Sequence, residues 1–431
     1  MLFQFSAHSA LLLPFVVPGA VLALHLLVRA ARHGTLADGL LGLLLLLNVL
    51  PVTQWMLGFA GWYDSHDGYS TAMFYVPWQP WLAWGPAFYL YFRSLTNQEF
   101  RLRGHWRHLL PGLLYVGLFA AAALYDLGWS RGLQGQPLPH HFGTKGEVAN
   151  WLGGLGGLAD WLGYALILGY GLATLRLFRR YRRYLDDNFS DTARLRFQGL
   201  RELLVVALLG LLLWLGFGLV NQAVGPLNYG EYWYAYFANG ALIYVLSIVG
   251  LRANYAAVVP LRFEPGLTEV DEQSVPAAAN AQGPALAADR PARLVPVGPG
   301  VAPAVADTAQ LPASALAPEL HPWRERLLRL MGEERPWLEP ELTLAELAAR
   351  LRTNTSLLSH VINTGCGQNF NDFVNRYRVA EAERKLQDPR LAHYSLVGIA
   401  LECGFNSKST FNRVFKKLTD RTPSEVSRPK S

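Results

Sequence analysis

The chain has 431 residues, 51% of them hydrophobic, and a formal net charge of +6. It is too long for one ordinary domain, and its positive charge suits either nucleic acid or an anionic membrane surface without choosing between them. The two cysteines, Cys366 and Cys403, have no zinc-site spacing, and the sequence contains neither an HExxH motif nor an acidic cluster with metal-binding spacing. We therefore expect no metal, no cofactor and no catalytic residue.

Long apolar runs fill the first 255 residues, and each is close to the roughly 20 residues that cross a bilayer core. The third run is interrupted by prolines and the fourth is short. The first has no basic region before it, which indicates a retained span rather than a cleaved signal peptide. We predict a seven-helix transmembrane bundle within residues 1–260. Its spans are Leu11 to Val28, Leu36 to Leu57, Phe74 to Phe92, Leu109 to Tyr125, Trp151 to Leu175, Leu203 to Val220 and Tyr234 to Leu251.

Arginines occupy alternate loops of this predicted bundle. They follow the first, third and fifth runs, whereas the loop after the second run carries Asp64 and Asp67 and neither Lys nor Arg. Because positively charged loops stay in the cytoplasm, seven spans place the N-terminus outside and the C-terminus inside. The topogenic arginines include Arg29, Arg32, Arg93, Arg101, Arg103, Arg107, Arg176, Arg179, Arg180, Arg182 and Arg183.

Polar residues within spans are candidates for ligand binding because they are costly there. Asp160 and the adjacent Trp161 belong to the outer half of the fifth predicted span, where they could hold a cationic or hydroxylated ligand. The alternative is structural: tryptophans at outer ends often form an interfacial belt, and a neighbouring helix can satisfy an aspartate.

Residues 261–320 are rich in alanine and proline. Such a composition cannot bury enough apolar surface to fold, so we predict a disordered cytoplasmic linker. A long flexible tether transmits shape poorly, and it favours signalling by changed dimerisation or by proteolysis of the linker over a rigid lever.

The stretch Ser395 to Pro423 has the pattern of a helix-turn-helix. Gly404 permits a tight turn, and Asn406 or Ser407 can cap the helix that follows. Four apolar residues of that helix recur at i, i+3, i+4 and i+7 and predict a buried stripe. They are Phe411, Val414, Phe415 and Leu418.

An earlier copy of the same unit precedes it. Thr343 and Glu346 have the spacing of a capping box, and an apolar stripe follows on each of two helices. The offset between the copies is 52 positions in the first helices and 53 in the second, which implies one extra residue in the second turn. A connecting helix from about Phe370 joins the copies, so that two readers could reach successive major-groove segments about 34 Å apart.

The polar faces of the two second helices supply the candidate DNA contacts, because a helix fits the major groove and these side chains can bond to bases or phosphates. The alternative for each residue is a solvated helix face. The candidates are Thr355, Ser356, Ser359 and His360 in the first copy, and Ser407, Lys408, Ser409, Asn412, Arg413 and Lys416 in the second.

The runs LTLAELAARLRTNTSLLSHVINTGCGQNFNDFVNRYRVAEAERKL and SLVGIALECGFNSKSTFNRVFKKLTDRTPSEV resemble the DNA-binding domain of the AraC/XylS family of transcription regulators. The resemblance covers residues 321–431 and implies promoter binding and contact with RNA polymerase. Asp420 departs from the family's usual glycine after the last recognition helix. Aspartate tolerates a left-handed C-cap better than most residues, so we expect a small local cost.

Together these features predict an all-α, membrane-anchored one-component transcription regulator of a bacterial inner membrane, with its C-terminal domain in the cytoplasm. Its expected partners are double-stranded DNA, the lipid bilayer, a second copy of itself in a homodimer, and a small-molecule or membrane-borne cue. Two alternatives stay open: a transporter or membrane enzyme with a regulatory DNA-binding appendage, and a DNA-binding domain on a passive anchor.

Overall fold

The computed structural model describes residues 4–97, 100–192, 229–252, 317–391 and 393–427, with scattered positions between 205 and 228. Within them all regular elements are helices, joined by turns and loops, and two isolated β-bridges are present, in agreement with the predicted all-α class. It divides into two compact units, Met1–Arg179 with Phe197–Phe263, and Arg180–Arg196 with Glu264–Ser431. The domain boundaries at 260 and 320 stay predictions, because all but the last four residues of the proposed linker lie outside the described residues.

Helices of the first unit vary widely in length. Four stretches are long and apolar enough to cross a membrane: Ala7–His33, Leu36–Phe59, Trp106–Leu133 and Gly156–Asn188. The third of these combines short 3-10 turns, a helix and a closing π-helical segment. The helices are α1 Ala7–His33, α2 Leu36–Phe59, α3 Gly68–Tyr75, α4 Trp81–Thr96, α5 Leu110–Ala123, α6 Glu147–Gly154, α7 Gly156–Asn188, whose last turns belong to the other unit, and α8 Tyr229–Arg252.

The predicted count of seven spans is wrong for the described residues, which contain four candidates. They correspond to the first, second, fourth and fifth predicted spans. The third is broken into α3 and α4, because Val76 adopts an extended conformation before Pro77 and Pro80. The seventh falls in α8, which is not among the four, and half of the sixth lies outside the described residues.

The turn between α1 and α2 holds a buried ion pair. Gly34 ends α1 in a left-handed conformation with φ 67°. The guanidinium of Arg29 donates two hydrogen bonds to the carboxylate of Asp38, one of them 2.7 Å long from Nε. The hydroxyl of Thr35 donates a third at 2.6 Å, and Asp38 is only 1% exposed. Arg29, predicted from sequence as a topogenic residue, therefore also fixes this helical hairpin.

Polar side chains within the apolar helices find partners on neighbouring segments. Gln54 of α2 donates a 3.0 Å hydrogen bond to the hydroxyl of Tyr63, and Gln79 donates one of 3.0 Å to the hydroxyl of Tyr236 in α8. Asn48 donates to a carbonyl one turn earlier in α2. Hydrogen bonds within the protein therefore account for these polar side chains, which is the structural alternative to ligand binding.

The C-terminal part of the second unit has two hydrophobic cores. One gathers side chains of α9, α10 and α11, and the other those of α13 and α14. The helix α12 contributes its first half to the first core and its second half to the other, which confirms the predicted connecting helix. The helices are α9 His321–Glu333, α10 Leu344–Leu351, α11 Thr355–Gly365, α12 Phe370–Gln387, α13 Leu396–Glu402, α14 Lys408–Thr419 and α15 Pro423–Val426.

Candidate nucleic-acid interface

The first helix-turn-helix is formed by α10 and α11. The predicted capping box is present, because Thr343 caps α10 and the side chain of Glu346 accepts a 2.8 Å hydrogen bond from the Thr343 amide. Arg352 then adopts a left-handed conformation with φ 52°. Two residues later Asn354 caps α11 by accepting a 2.7 Å hydrogen bond from the amide of Leu357.

The second helix-turn-helix, α13 and α14, repeats this geometry with a longer turn. Gly404 occupies the left-handed position with φ 81°, and Ser407 caps α14 three residues later. In the first copy the same interval is two residues, so the predicted extra residue is confirmed. Asp420 ends α14 with φ 55°, the left-handed C-cap expected of it.

The polar face of α14 is open to solvent. Lys408, Ser409, Asn412, Arg413 and Lys416 are all exposed, opposite the apolar stripe that enters the core. Within the described part of the chain no ion pair engages the three basic residues of this set. The face therefore presents donors that could meet bases and phosphates.

Ser407 has a different place from the other candidates of the second copy. It is half-buried, and its hydroxyl oxygen accepts a 3.2 Å hydrogen bond from the amide of Thr410. The same hydroxyl donates to the side chain of Thr410 at 3.0 Å. Its structural role is the N-cap of α14.

The face of α11 is less basic. Thr355, Ser356 and His360 are exposed, whereas Ser359 is half-buried. The hydroxyl of Ser359 accepts a 3.3 Å hydrogen bond from the amide group of Asn363. The structure thus brings each predicted set together on one helix, and the two faces differ in charge.

Arg378 of α12 is a residue whose role was not predicted from the sequence. It is 1% exposed, and it donates hydrogen bonds to the carbonyl oxygens of Trp337 at 2.7 Å and Glu339 at 2.6 Å. Its guanidinium carbon lies 5.9 Å from the ring centre of Phe405. Burial lowers the pKa of Arg378 to about 10, and the nearby Asp191 carboxylate opposes that shift. Arg378 therefore joins the first core to the turn of the second copy.

Gly404 packs closely against the backbone of residues 337–338, in the part of the domain that holds the first core. A Cβ atom at this position would lie 2.5 Å from the carbonyl oxygen of Trp337 and 2.9 Å from that of Leu338. The glycine that the sequence assigned to a tight turn is therefore also required by the packing of the two copies.

The two cysteines pack in or against the two cores of the DNA-binding domain. Cys403 is fully buried in the second core and Cys366 is half-buried, and burial raises the pKa of both thiols, that of Cys403 to about 12. Within the described residues no group of three or more His, Cys, Asp or Glu side chains could hold a metal ion.

The two residues predicted to bind a ligand, Asp160 and Trp161, are only partly buried. Asp160 is half-buried in α7, near the hydroxyls of Tyr115 and Tyr164. Trp161 is 57% exposed and meets the ring of Tyr164 edge-on, with 6.0 Å between centres. Both side chains of the pair therefore lie beside Tyr164. The ligand site stays a prediction.

Comparison with known proteins agrees with this geometry. A family described as a helix-turn-helix domain matches residues 347–428. The probable transcription factor PqrA of Proteus vulgaris is 30% identical over 95 residues, which cover 21% of this chain and 75% of that protein. The uncharacterized HTH-type transcriptional regulator YtdP of Bacillus subtilis (strain 168) is 35% identical over 85 residues. That match covers 20% of this chain and 11% of YtdP. No solved structure matches the chain.

Two helix-turn-helix units on one connecting helix, each with an exposed polar reading face, define a DNA-binding transcription regulator. The chain belongs to the helix-turn-helix transcription regulators of the AraC type, and its C-terminal domain is the DNA-binding domain of that family.

Proposed function

We propose that this protein is a membrane-anchored one-component transcription regulator of a bacterial inner membrane. One observation carries the proposal: a two-copy DNA-reading domain and four helices long enough to cross a bilayer belong to the same chain. Such a protein can reach a promoter only where no envelope separates membrane from chromosome. Its first unit, which we call the membrane half, then senses an extracellular or membrane-borne cue. Its C-terminal DNA-binding domain, which we call the reader, recruits or blocks RNA polymerase, alone or as a homodimer.

The arginine pattern supports a cytoplasmic reader. An outside N-terminus and an inside C-terminus need an odd number of crossings, and four candidates are an even number. Acidic Asp64 and Asp67 precede α3. Arginines occupy the last turn of α4, at Arg93, and the loop that follows it, so the charge pattern requires a crossing between the two sites. We propose that α3 and α4 make it as a broken helix whose second part, α4, packs against α2. Such a break is tolerated where protein shields the irregular backbone.

The length of α7 fits the same orientation. Its 33 residues span about 50 Å, more than the roughly 30 Å of a bilayer core. The surplus is the arginine-rich C-terminal part, which would extend into the cytoplasm beside anionic lipid. Reporter fusions after residues 66, 104 and 190 test this topology: we expect outside, inside and inside, and an outside result at 190 would refute the cytoplasmic reader.

Base reading should depend most on the second copy, where Arg413 can donate two hydrogen bonds to a guanine. The C-terminal domain, residues 317–431, is offered fragmented genomic DNA, and bound sites are sequenced. We expect one recurring motif. Arg413→Ala should relax preference at one base position by about 1–3 kcal/mol, while Lys416→Ala should weaken all sequences alike and reduce the salt dependence.

Arg390→Ala is the matched control, because this arginine is exposed but lies outside both reading helices. It should leave the motif and the affinity nearly unchanged. Uniform weakening by Arg413→Ala would make Arg413 a phosphate contact, and the absence of any selected motif would refute sequence-specific reading.

A further inference from the structure

The segment that follows α7 in the chain packs into the DNA-binding unit. We call residues 189–192 the docking segment. Phe189 forms an antiparallel bridge with Thr343, and the amide of Ser190 donates a 3.2 Å hydrogen bond to the carbonyl oxygen of Leu342. Phe189, Ser190 and Thr192 are 7%, 1% and 2% exposed. Four consecutive residues of a loop that the charge pattern assigns to the cytoplasm are thus built into the reader.

A polar notch on α12 receives this segment. Asn371 donates hydrogen bonds of 3.0 and 2.8 Å to the carbonyl oxygens of Phe189 and Ser190, and Asn375 donates one of 3.2 Å to that of Ser190. Arg378 donates a 3.1 Å hydrogen bond to the hydroxyl of Ser190. The three donors follow one another at i, i+4 and i+7 and so share a face of α12.

The second copy closes the notch. The side-chain amide of Asn406 donates a 2.9 Å hydrogen bond to the carboxylate of Asp191. Asn406 immediately precedes Ser407, the N-cap of α14, while Leu342 and Thr343 lie at the start of α10. The docking segment therefore bridges the beginning of α10, the leading helix of the first copy, and the beginning of α14, the reading helix of the second copy.

The contacts between the docking segment and the notch are of a kind that can dissociate. The donors of the notch bond mainly to backbone oxygens, as in β-strand addition, and water can replace these hydrogen bonds when the segment leaves. The side-chain oxygen of Asn375 is buried and has no hydrogen-bond partner among the described residues. An unsatisfied acceptor of this kind is uncommon in a permanent core.

We propose that the docking segment is an intramolecular inhibitor of DNA binding, and this inference rests on the proposed function. In helix-turn-helix proteins the N-terminal residues of the reading helix meet base edges, and the leading helix crosses the DNA backbone. The docked segment occupies the vicinity of both helix beginnings, and the Asp191 carboxylate adds negative charge where phosphates approach. DNA and the docking segment then compete, and the membrane half controls the reader through the chain that enters the notch.

Asn371→Asp in the full chain, held in lipid nanodiscs, tests the competition. A carboxylate at this position cannot donate to the two carbonyl oxygens and repels them, so the segment should leave the notch. Gln387→Glu is the matched control: it adds the same charge to the exposed end of α12, away from the notch. An added negative charge by itself repels DNA and weakens binding. A gain in affinity in Asn371→Asp therefore cannot come from the added charge and would report release of the docking segment.

Two measurements are made on each protein. Hydrogen exchange of the peptide containing residues 189–192 reports docking, and titration with the duplex selected by the C-terminal domain reports affinity. We expect protection in the unmodified chain and Gln387→Glu, and at least about tenfold faster exchange together with at least about tenfold tighter DNA binding in Asn371→Asp. Saturating DNA should also release the protection in the unmodified chain.

Ser190→Pro is the second variant, because it removes the amide that binds Leu342 while leaving the reader's own sequence intact. It should behave like Asn371→Asp even if that variant folds poorly. Free exchange of the segment in the unmodified chain, or equal DNA affinity of docked and undocked proteins, overturns the inference while DNA binding stands. Failure of every protein to bind the duplex overturns the proposed function and the inference with it.

Discussion

Single residues of the DNA-binding domain combine local and long-range roles, and Gly404 is the clearest case. Its φ of 81° strains any L-residue, and a Cβ would lie 2.5 Å from a backbone oxygen that cannot easily move. We expect Gly404→Ala to reduce the free energy of unfolding of residues 317–431 by at least about 2 kcal/mol in urea titrations.

Gly332→Ala is the control for this prediction. Gly332 lies in α9 and a Cβ there would meet nothing within 4 Å, so the exchange should be neutral or stabilise by up to about 1 kcal/mol. Equal effects of the two substitutions would contradict the close packing of Gly404 against Trp337.

The buried thiol of Cys403 should make the stability of the DNA-binding domain depend on pH. Its pKa in the folded domain is raised to about 12, whereas an unfolded thiol titrates near 9. Above pH 9 the unfolded chain loses this proton and the folded chain keeps it, so deprotonation favours unfolding. The free energy of unfolding should fall by about 1.4 kcal/mol per pH unit above pH 9 from this group, and the contribution should be absent in Cys403→Ala.

Helices and caps were predictable wherever local spacing determines them. The capping box of Thr343, the cap at Ser407, the connecting helix and the extra turn residue all follow from short-range patterns. The apolar content of Phe74 to Phe92 indicated a span, but the backbone restrictions of its prolines broke the helix. Hydropathy averages over a window and does not register such a break.

Contacts distant in sequence were not predictable. Arg378 and Asn375 fall in a segment whose apolar residues already explain a connecting helix, and their i, i+3 spacing gave the sole hint of a polar face. Their partners at 189–191 lie more than 180 positions away. No periodicity or propensity of either segment specifies that pairing, so the notch emerges only from the three-dimensional structure.

The hairpin of α1 and α2 should depend on its buried ion pair. Asp38→Ala leaves the guanidinium of Arg29 without its carboxylate in a poorly solvated place, a loss of about 3–5 kcal/mol for a fully buried pair and less here, where Arg29 is 31% exposed. We expect a clearly lower midpoint in thermal unfolding of the full chain in detergent. Asp64→Ala, an exposed acid beyond α2, should leave the midpoint unchanged.

At the scale of the whole molecule, two routes could connect the membrane half to the reader: residues 264–316, or the docking segment. A flexible Gly/Ser chain of about 55 residues has an r.m.s. span of about 40 Å, which keeps a tethered partner at roughly millimolar effective concentration. Even weak docking would therefore persist after such a replacement. Control through the docking segment should thus be insensitive to the sequence of residues 264–316.

Promoter occupancy in cells distinguishes the two routes. With residues 264–316 replaced by a Gly/Ser chain of equal length, chromatin immunoprecipitation should give the unmodified level. Asn371→Asp should raise occupancy, and the doubly altered protein should match Asn371→Asp, because the replaced segment contributes no separate control. If the replacement alone raises occupancy to the Asn371→Asp level, residues 264–316 themselves restrain DNA binding. If it lowers occupancy, activation depends on release by proteolysis, because the Gly/Ser chain removes the cleavage site. Either change contradicts control through the docking segment alone. Because every protein in the comparison keeps the same reading faces on α11 and α14, differences in occupancy report access to DNA rather than base recognition.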